Sequence, residues 1–299
     1  MKRVIVIVGP TASGKTKISI EIAKHYNLDI ISGDSVAVYK RLDIGSAKPT
    51  IEEMDGVKHH LIDVLDPTIQ YDVSKFQQMA RAIMDKNELS LIAGGTGLYI
   101  QSAIYNYEFS GNKRDLDFEN KYSMYNNDEL YKLLLKLDPN VDQTKIHPNN
   151  RKRVLRAIEV FLESNESIHK NQKGKEALYD AYIIYLKMDR QILYDRINKR
   201  VDQMISDGLV DEVKSLYDDG IYPHAIGYSE LIPYFNGDES LETCIEEIKK
   251  NTRHLAKRQE TWFKNQMNCH FYDVNLNDIN ETINKIILDI DGWLKWKFI

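Results

Sequence analysis

The sequence predicts an α/β protein, a P-loop kinase-like parallel sheet core with a helical insertion domain. Three observations point there. A short β-branched run, Val4–Val8, leads directly into Gly9-Pro10-Thr11-Ala12-Ser13-Gly14-Lys15-Thr16, which fits the phosphate-loop pattern G-x-x-x-x-G-K-[ST] at every fixed position. Further short apolar runs at Leu28–Ser32, Leu61–Val64 and Leu89–Ala93 read as strands between helical patterns. From about Phe109 the chain turns polar and helical, and strand character returns only at Tyr182–Met188. Residues 109–175 are therefore assigned to an insertion, and 1–108 with 176–299 to the core.

The first element is the best defined. After the loop, Ile18, Ile20, Ile22 and Ala23 alternate with Lys17, Glu21 and Lys24, which predicts a helix with one apolar face. Strand, glycine loop and helix are the context that the pattern requires. Gly9 and Gly14 let the backbone turn so that successive N–H groups converge on anionic oxygens. Lys15 adds a full positive charge, and the Thr16 hydroxyl can hold a magnesium ion. A phosphorylated ligand is expected.

Leu28–Ser32 ends in Gly33-Asp34-Ser35. Ligands of open α/β sheets sit at the carboxyl ends of strands, so Asp34 and Ser35 are expected near the phosphate loop. The alternative is that Asp34 caps the following turn. Leu61–Val64 is framed by His59 and His60, whose side chains would point to opposite faces of a strand. Polar packing is expected of them rather than metal. Val73–Lys86 places Phe76, Met79, Ala80 and Ile83 at helical spacing. After Leu89–Ala93 comes Gly94-Gly95-Thr96-Gly97, with a helix starting at Leu98. A nucleotide hydrolase usually carries a magnesium-binding acid at the end of that strand. Its absence counts against simple ATP hydrolysis.

In the insertion, Asp128–Leu137 reads as a helix that Asn126 and Glu129 could cap. His147-Pro148-Asn149-Asn150-Arg151-Lys152-Arg153 leads into a helix at Val154–Leu162, with Arg156 one turn on. That basic cluster is either a solvated face or a polyanion site. Arg190–Asp207 is a helix carrying Arg196, Lys199 and Arg200, stopped by Gly208. Leu241–Gln266 interleaves basic side chains with Trp262 and Phe263, as a helix would that buries its aromatic side and offers charge to phosphates. Phe271–Asp273 and Asn280–Lys297 close the chain as a strand and a helix.

Bulk properties narrow the class. At 299 residues the chain holds one large α/β domain or a core with a subdomain. Its net charge of −5 removes the crude argument for nucleic-acid binding, although a local patch is what binds. No apolar run approaches the roughly 20 residues of a membrane helix, and Met1-Lys2-Arg3 leaves no room for a signal peptide. Cys244 and Cys269 are too few for a disulfide framework or a zinc site. A cytosolic monomer without membrane contact is expected.

Taken together, several stretches resemble the bacterial tRNA dimethylallyltransferases of the tRNA isopentenyltransferase family. They are GPTASGKT at 9–16, SGDSVAVY at 32–39, DIGSAKP at 43–49 and AGGTGLYIQS at 93–102. HPNNRKRVLRAIEV at 147–160, RVDQM at 200–204, AIGYSEL at 225–231 and TRHLAKRQETWFK at 252–264 continue the match. The resemblance implies that residues 9–16 hold the diphosphate of dimethylallyl diphosphate, with Mg2+ on Thr16. It implies an acceptor at N6 of the adenosine 3′ to the anticodon, in the anticodon stem-loop of tRNA. Asp34 matches the family's general base, and Lys15, Thr16 and Arg200 match groups facing the leaving diphosphate. Ser35, Val36, Ala37 and Thr96 match positions near the acceptor, and Lys152, Arg153 and Arg156 match the tRNA-contacting helix. Two positions depart from the family: Ala37 stands where Gln is usual, and Ser229 where Lys is frequent. Two other classes fit the residues alone, a small-molecule or nucleotide kinase and a non-catalytic RNA-binding module.

Overall fold

Arg3–Val8 (β1) is apolar almost throughout because both faces of the strand are covered, and Val4 to Val8 are fully buried. It runs into Lys15–Tyr26 (α1), whose Ile18 and Ile22 pack on the sheet with Ile5, Ile7 and Leu91. The structure is a computed structural model and describes residues 1–109, 117–168 and 176–295. It divides into two compact units, Met1–Ile104 with Ala177–Ile299, and Tyr105–Glu176.

In the first unit Ile30–Ser32 (β2) is followed by Ile51–Met54 (α2), His59–His60 (β3), Val73–Met84 (α3), Leu89–Gly94 (β4) and Gly97–Ile104 (α4). The second unit contributes Phe118–Lys121 (α5), Asn127–Leu137 (α6) and Arg151–Ser164 (α7). The chain then returns to the first unit with Asp180–Lys187 (β5), Arg190–Ser206 (α8), Leu209–Asp218 (α9) and Ile232–Asn236 (α10). Leu241–Gln266 (α11), His270–Asp273 (β6) and Ile279–Lys295 (α12) complete it. The strands form one six-stranded sheet in the order β3-β2-β4-β1-β5-β6. Every pairing is parallel, so all strand carboxyl ends share one edge.

The third strand expected at Leu61–Val64 is not there. Its place in the sheet is taken by His59–His60, and the chain leaves the sheet at Leu61, φ 63°, and Asp63, φ 54°. Left-handed residues cannot continue a strand. Instead Asp63 and Val64 donate their N–H groups to the carbonyls of Ala37 and Val38. The two histidines are held separately, His59 against the Val57 carbonyl and His60 against Asp29. Of the strand expected at Leu28–Ser32, Leu28 and Asp29 fall outside β2; Leu28 closes α1, its N–H bonding the Ala23 carbonyl after the left-handed Asn27.

Asn126 and Glu129 form a reciprocal capping box at the start of α6. Leu130 and Leu134 of α6 pack against Val154, Leu155 and Ile158 of α7 as the core of the second unit. Helix α7 starts at Arg151, not Val154, because Asn150 accepts the Arg153 N–H as its cap. The basic residues 151–153 therefore form the first helical turn. Parts of the expected insertion at 110–116 and 169–175, and the expected end of the last helix at Lys297, lie outside the described residues. No described helix is long and apolar enough to cross a membrane. Both cysteines are free, and burial pushes the Cys269 thiol up to about 12, so neither position offers a ready thiolate.

Candidate active site

At the carboxyl edge of the sheet, within the first unit, lies a cavity of about 820 Å³. The loop between β1 and α1 forms its floor. Gly14 at φ 91° turns the chain into α1, a conformation that favours glycine, so the helix N-terminus faces the space. Thr11, Ala12, Gly14, Lys15 and Thr16 line the cavity, while Gly9, Pro10 and the buried Ser13 form the back of the loop. The Lys15 ammonium donates to the Pro10 carbonyl at 2.7 Å. Burial, helped by the nearby Arg200 charge and opposed by Asp34, pulls Lys15 down to about 7. A lysine so tuned gains its proton when an anion arrives.

Asp34, Ser35, Val36 and Ala37 also line the cavity, past the end of β2. The Asp34 Oδ1 accepts the N–H groups of Val36 at 2.7 Å and Ala37 at 3.1 Å. Both sequence alternatives for Asp34 are thus realised in one side chain: one oxygen caps the turn, and the carboxylate still borders the cavity. Among the described residues Oδ2 has no such bond.

Arg200 of α8 enters the same cavity, its guanidinium against the Ala47 carbonyl at 3.4 Å. Burial lowers its pKa from the ordinary value, while Glu53 and Asp34 act to raise it. An arginine so placed stays charged. The loop that carries Ala47 is anchored by Glu212 of α9, whose carboxylate accepts the N–H groups of Asp43, Ile44 and Gly45. The buried Tyr228 hydroxyl donates to the same carboxylate at 2.7 Å. That arrangement gives the DIGSAKP stretch its structural purpose.

Thr16 and Asp34 both line the cavity, and a hydroxyl and a carboxylate are hard oxygen donors of the kind that magnesium takes. Among the described residues no three His, Cys, Asp or Glu side chains gather into a metal cluster. A hydroxyl of the Thr16 type is chemically compatible with magnesium, whose other ligands would be oxygens of a bound phosphate group.

Two further side chains grip the loop: Arg196, one of the basic residues read from the sequence on α8, and Gln259, which no local sequence pattern singled out. Arg196 of α8 donates Nε to the Ala12 carbonyl at 2.9 Å. Gln259 of α11 accepts the Thr11 N–H at 3.2 Å and donates to the Gly95 carbonyl at 3.1 Å. A signal for Gln259 existed: it is an uncharged polar residue on the same stripe of α11 as the buried Ala256 and Phe263. Thr96 stands at the start of α4, where its carbonyl receives the Tyr99 N–H, and it is not among the residues lining the cavity.

In the second unit, Arg151 donates to the carbonyls of Tyr122 and Tyr125, and Arg156 pairs with the buried Glu159 at 2.7 Å. Lys152 and Arg153 are exposed in the first turn of α7, with no acid in that turn to offset them. Ser229, the second departure, is exposed in a 3₁₀ turn and donates to the Ala225 carbonyl.

Comparison with known proteins gives a consistent result. The family model described as IPP transferase matches residues 37–266. A tRNA dimethylallyltransferase of Bacillus pumilus is 47% identical over 285 residues, covering 91% of this chain and 89% of the relative. The crystal structure of the full-length tRNA isopentenylpyrophosphate transferase of Bacillus halodurans superposes with a TM-score of 0.77 at 41% identity, covering 99% of this chain and 98% of that one. A eukaryotic dimethylallyltransferase captured acting on tRNA superposes with a TM-score of 0.82 at 27% identity, covering 98% of this chain and 79% of that one.

Proposed function

The chain belongs to the IPP transferase family, and on that premise we propose that it transfers a dimethylallyl group from dimethylallyl diphosphate to N6 of the adenosine 3′ to the anticodon of tRNA, releasing diphosphate. The observation that carries the mechanism is that Lys15, Thr16, Asp34 and Arg200 border one cavity.

The diphosphate sits on the loop of residues 9–16, with Lys15, the loop N–H groups and Arg200 facing its oxygens. As the bond between the allylic carbon and the diphosphate oxygen breaks, negative charge grows on the leaving group. Fixed donors aimed at that charge stabilise the transition state more than the ground state. A magnesium ion on Thr16, when bound, would neutralise further charge on the same oxygens. The adenine N6 lone pair forms the new bond to carbon, and N6 then gives up a proton. Asp34 accepts it on Oδ2, a general-base contribution of about two to four powers of ten. Ser35, Val36 and Ala37 flank the acceptor base, while Thr96, outside the cavity lining, has no place beside it. An unstacked base in a single-stranded loop enters such a pocket at modest cost.

Lys152, Arg153 and Arg156 meet the phosphates of the anticodon stem-loop. Physical support comes from α7 itself. Cations in a first helical turn oppose the helix dipole by about 0.3–1 kcal/mol each, so Lys152 and Arg153 are a cost to folding that phosphate binding would offset. Arg156, already paired with Glu159, contributes a fixed rather than a free charge.

A kinase is not favoured. The turn after β4 carries no acid, and the relatives described above are named for prenyl transfer. Unmodified tRNA incubated with magnesium and either dimethylallyl diphosphate or ATP, followed by mass analysis of the nucleosides, tests the assignment. An isoprenyl gain on adenosine with the first donor is the expected result; phosphate transfer with the second would overturn it.

A further inference from the structure

We propose that Gln259 is a positioning residue for the diphosphate loop, tying that loop to the turn after β4 through α11. The proposal rests on the cavity being the diphosphate site.

The turns after β1 and β4 are neighbours, because the two strands pair in register from Arg3 with Leu89 to Val8 with Gly94. One amide spans them: its oxygen takes the Thr11 N–H and its nitrogen gives to the Gly95 carbonyl. The second turn is built to admit this amide. A Cβ on Gly95 would overlap the Gln259 nitrogen, and one on Gly97 would overlap the Trp262 ring. The glycines that replace the acid of a nucleotide hydrolase are therefore the ground on which α11 rests.

Helix α11 is fastened independently of the loop. Phe263 is fully buried against Tyr185, Arg253 bonds Asn198 of α8 at 2.6 Å, and Asn251 bonds Glu230 at 2.9 Å. Ala256 of α11 packs with Leu193 and Ile197 of α8, and the loop residue Ala12 leans on that same cluster. Ala12 itself is left-handed at φ 64°, a conformation that a non-glycine residue adopts only when its surroundings impose it. The loop is short and carries these constraints from outside, so Gln259 sets where its amides point. Donors that stabilise a leaving group act only when preorganised, and a small displacement is expensive.

Gln259→Met keeps the length of the side chain and removes both hydrogen bonds. The variant is expected to bind dimethylallyl S-thiolodiphosphate, an unreactive analogue, about tenfold more weakly, with the KM for tRNA unchanged. Hydrogen exchange of the peptide covering residues 9–14 should speed up while that of α11 stays as in wild type. Gly95→Ala, which displaces the amide from the other side, should lose affinity to a similar extent, and the double variant should be no weaker than either single one. Unchanged analogue affinity in Gln259→Met would overturn the proposal. So would a lowered melting temperature with unchanged affinity in the folded fraction, since that marks a mere brace. Wild-type analogue binding without prenyl transfer to tRNA would sink the reaction proposed above, while the affinity difference would still decide the role of Gln259.

Discussion

Lys15 makes the affinity for dimethylallyl diphosphate depend on pH in a direction that the structure sets. In the free protein its pKa is lowered to about 7, because the ammonium is buried and faces Arg200. A bound diphosphate supplies opposite charge and returns the group towards or above its usual value near 10.5. Binding therefore takes up a proton wherever the free lysine has lost one. At pH 8 the free lysine is about one-tenth protonated, so uptake approaches about 0.9 proton per ligand. At pH 6 the lysine is already charged and uptake is about 0.1. Between pH 7 and 9 the dissociation constant should rise about fiftyfold, following the protonated fraction of the free form from about one half to about one hundredth. The analogue dimethylallyl S-thiolodiphosphate, titrated calorimetrically in buffers of different ionisation enthalpy, reads both quantities. Lys15→Arg, charged throughout, should show neither. The unliganded fold should correspondingly gain stability from Lys15 as pH rises above about 7, since the unfolded chain still holds the proton that the folded one has released. A flat dissociation constant from pH 7 to 9, with no buffer-dependent heat, would refute the reasoning.

Asp34→Asn keeps an oxygen for the Val36 and Ala37 amides but no base, so turnover should fall at least about a hundredfold with analogue affinity retained; near-normal rates would remove Asp34 from that role. Replacing Lys152, Arg153 and Arg156 together by Ala should weaken tRNA binding, spare the diphosphate analogue, and flatten the salt dependence by roughly one unit of slope per lost phosphate contact. An unchanged slope would return α7 to a solvated face. Ala37 borders the cavity with no side-chain donor or acceptor, so Ala37→Gln should improve prenylation up to about tenfold by adding one hydrogen bond to the adenine edge; a strong loss in steady-state rate would show the pocket packed around the methyl group.

Much of this protein is decided over distances of a few residues. The loop from Gly9 to Thr16, the apolar face of α1, the capping box at Asn126 and Glu129 and the full extent of α11 each depend on neighbours within a turn or a strand. Such features survive in the linear pattern because the partners that satisfy the backbone are close in the chain. The position of Asp34 beside the cavity was legible for the same reason, since it stands just past a strand end. What tertiary structure alone decided lies between residues far apart. Leu61–Val64 has the composition of a strand, yet long-range bonds to Ala37 and Val38 turn it away from the sheet and leave the pairing to His59–His60. Arg156 reads as one of a run of free cations until the fold sets it beside Glu159. Thr11 and Gln259 lie 248 positions apart, and no local periodicity records that one amide will close the gap between two glycine turns. A side chain's hydrogen-bond partner is fixed by which elements the hydrophobic core brings together, and that is a property of the assembled sheet and helices rather than of any one segment of them.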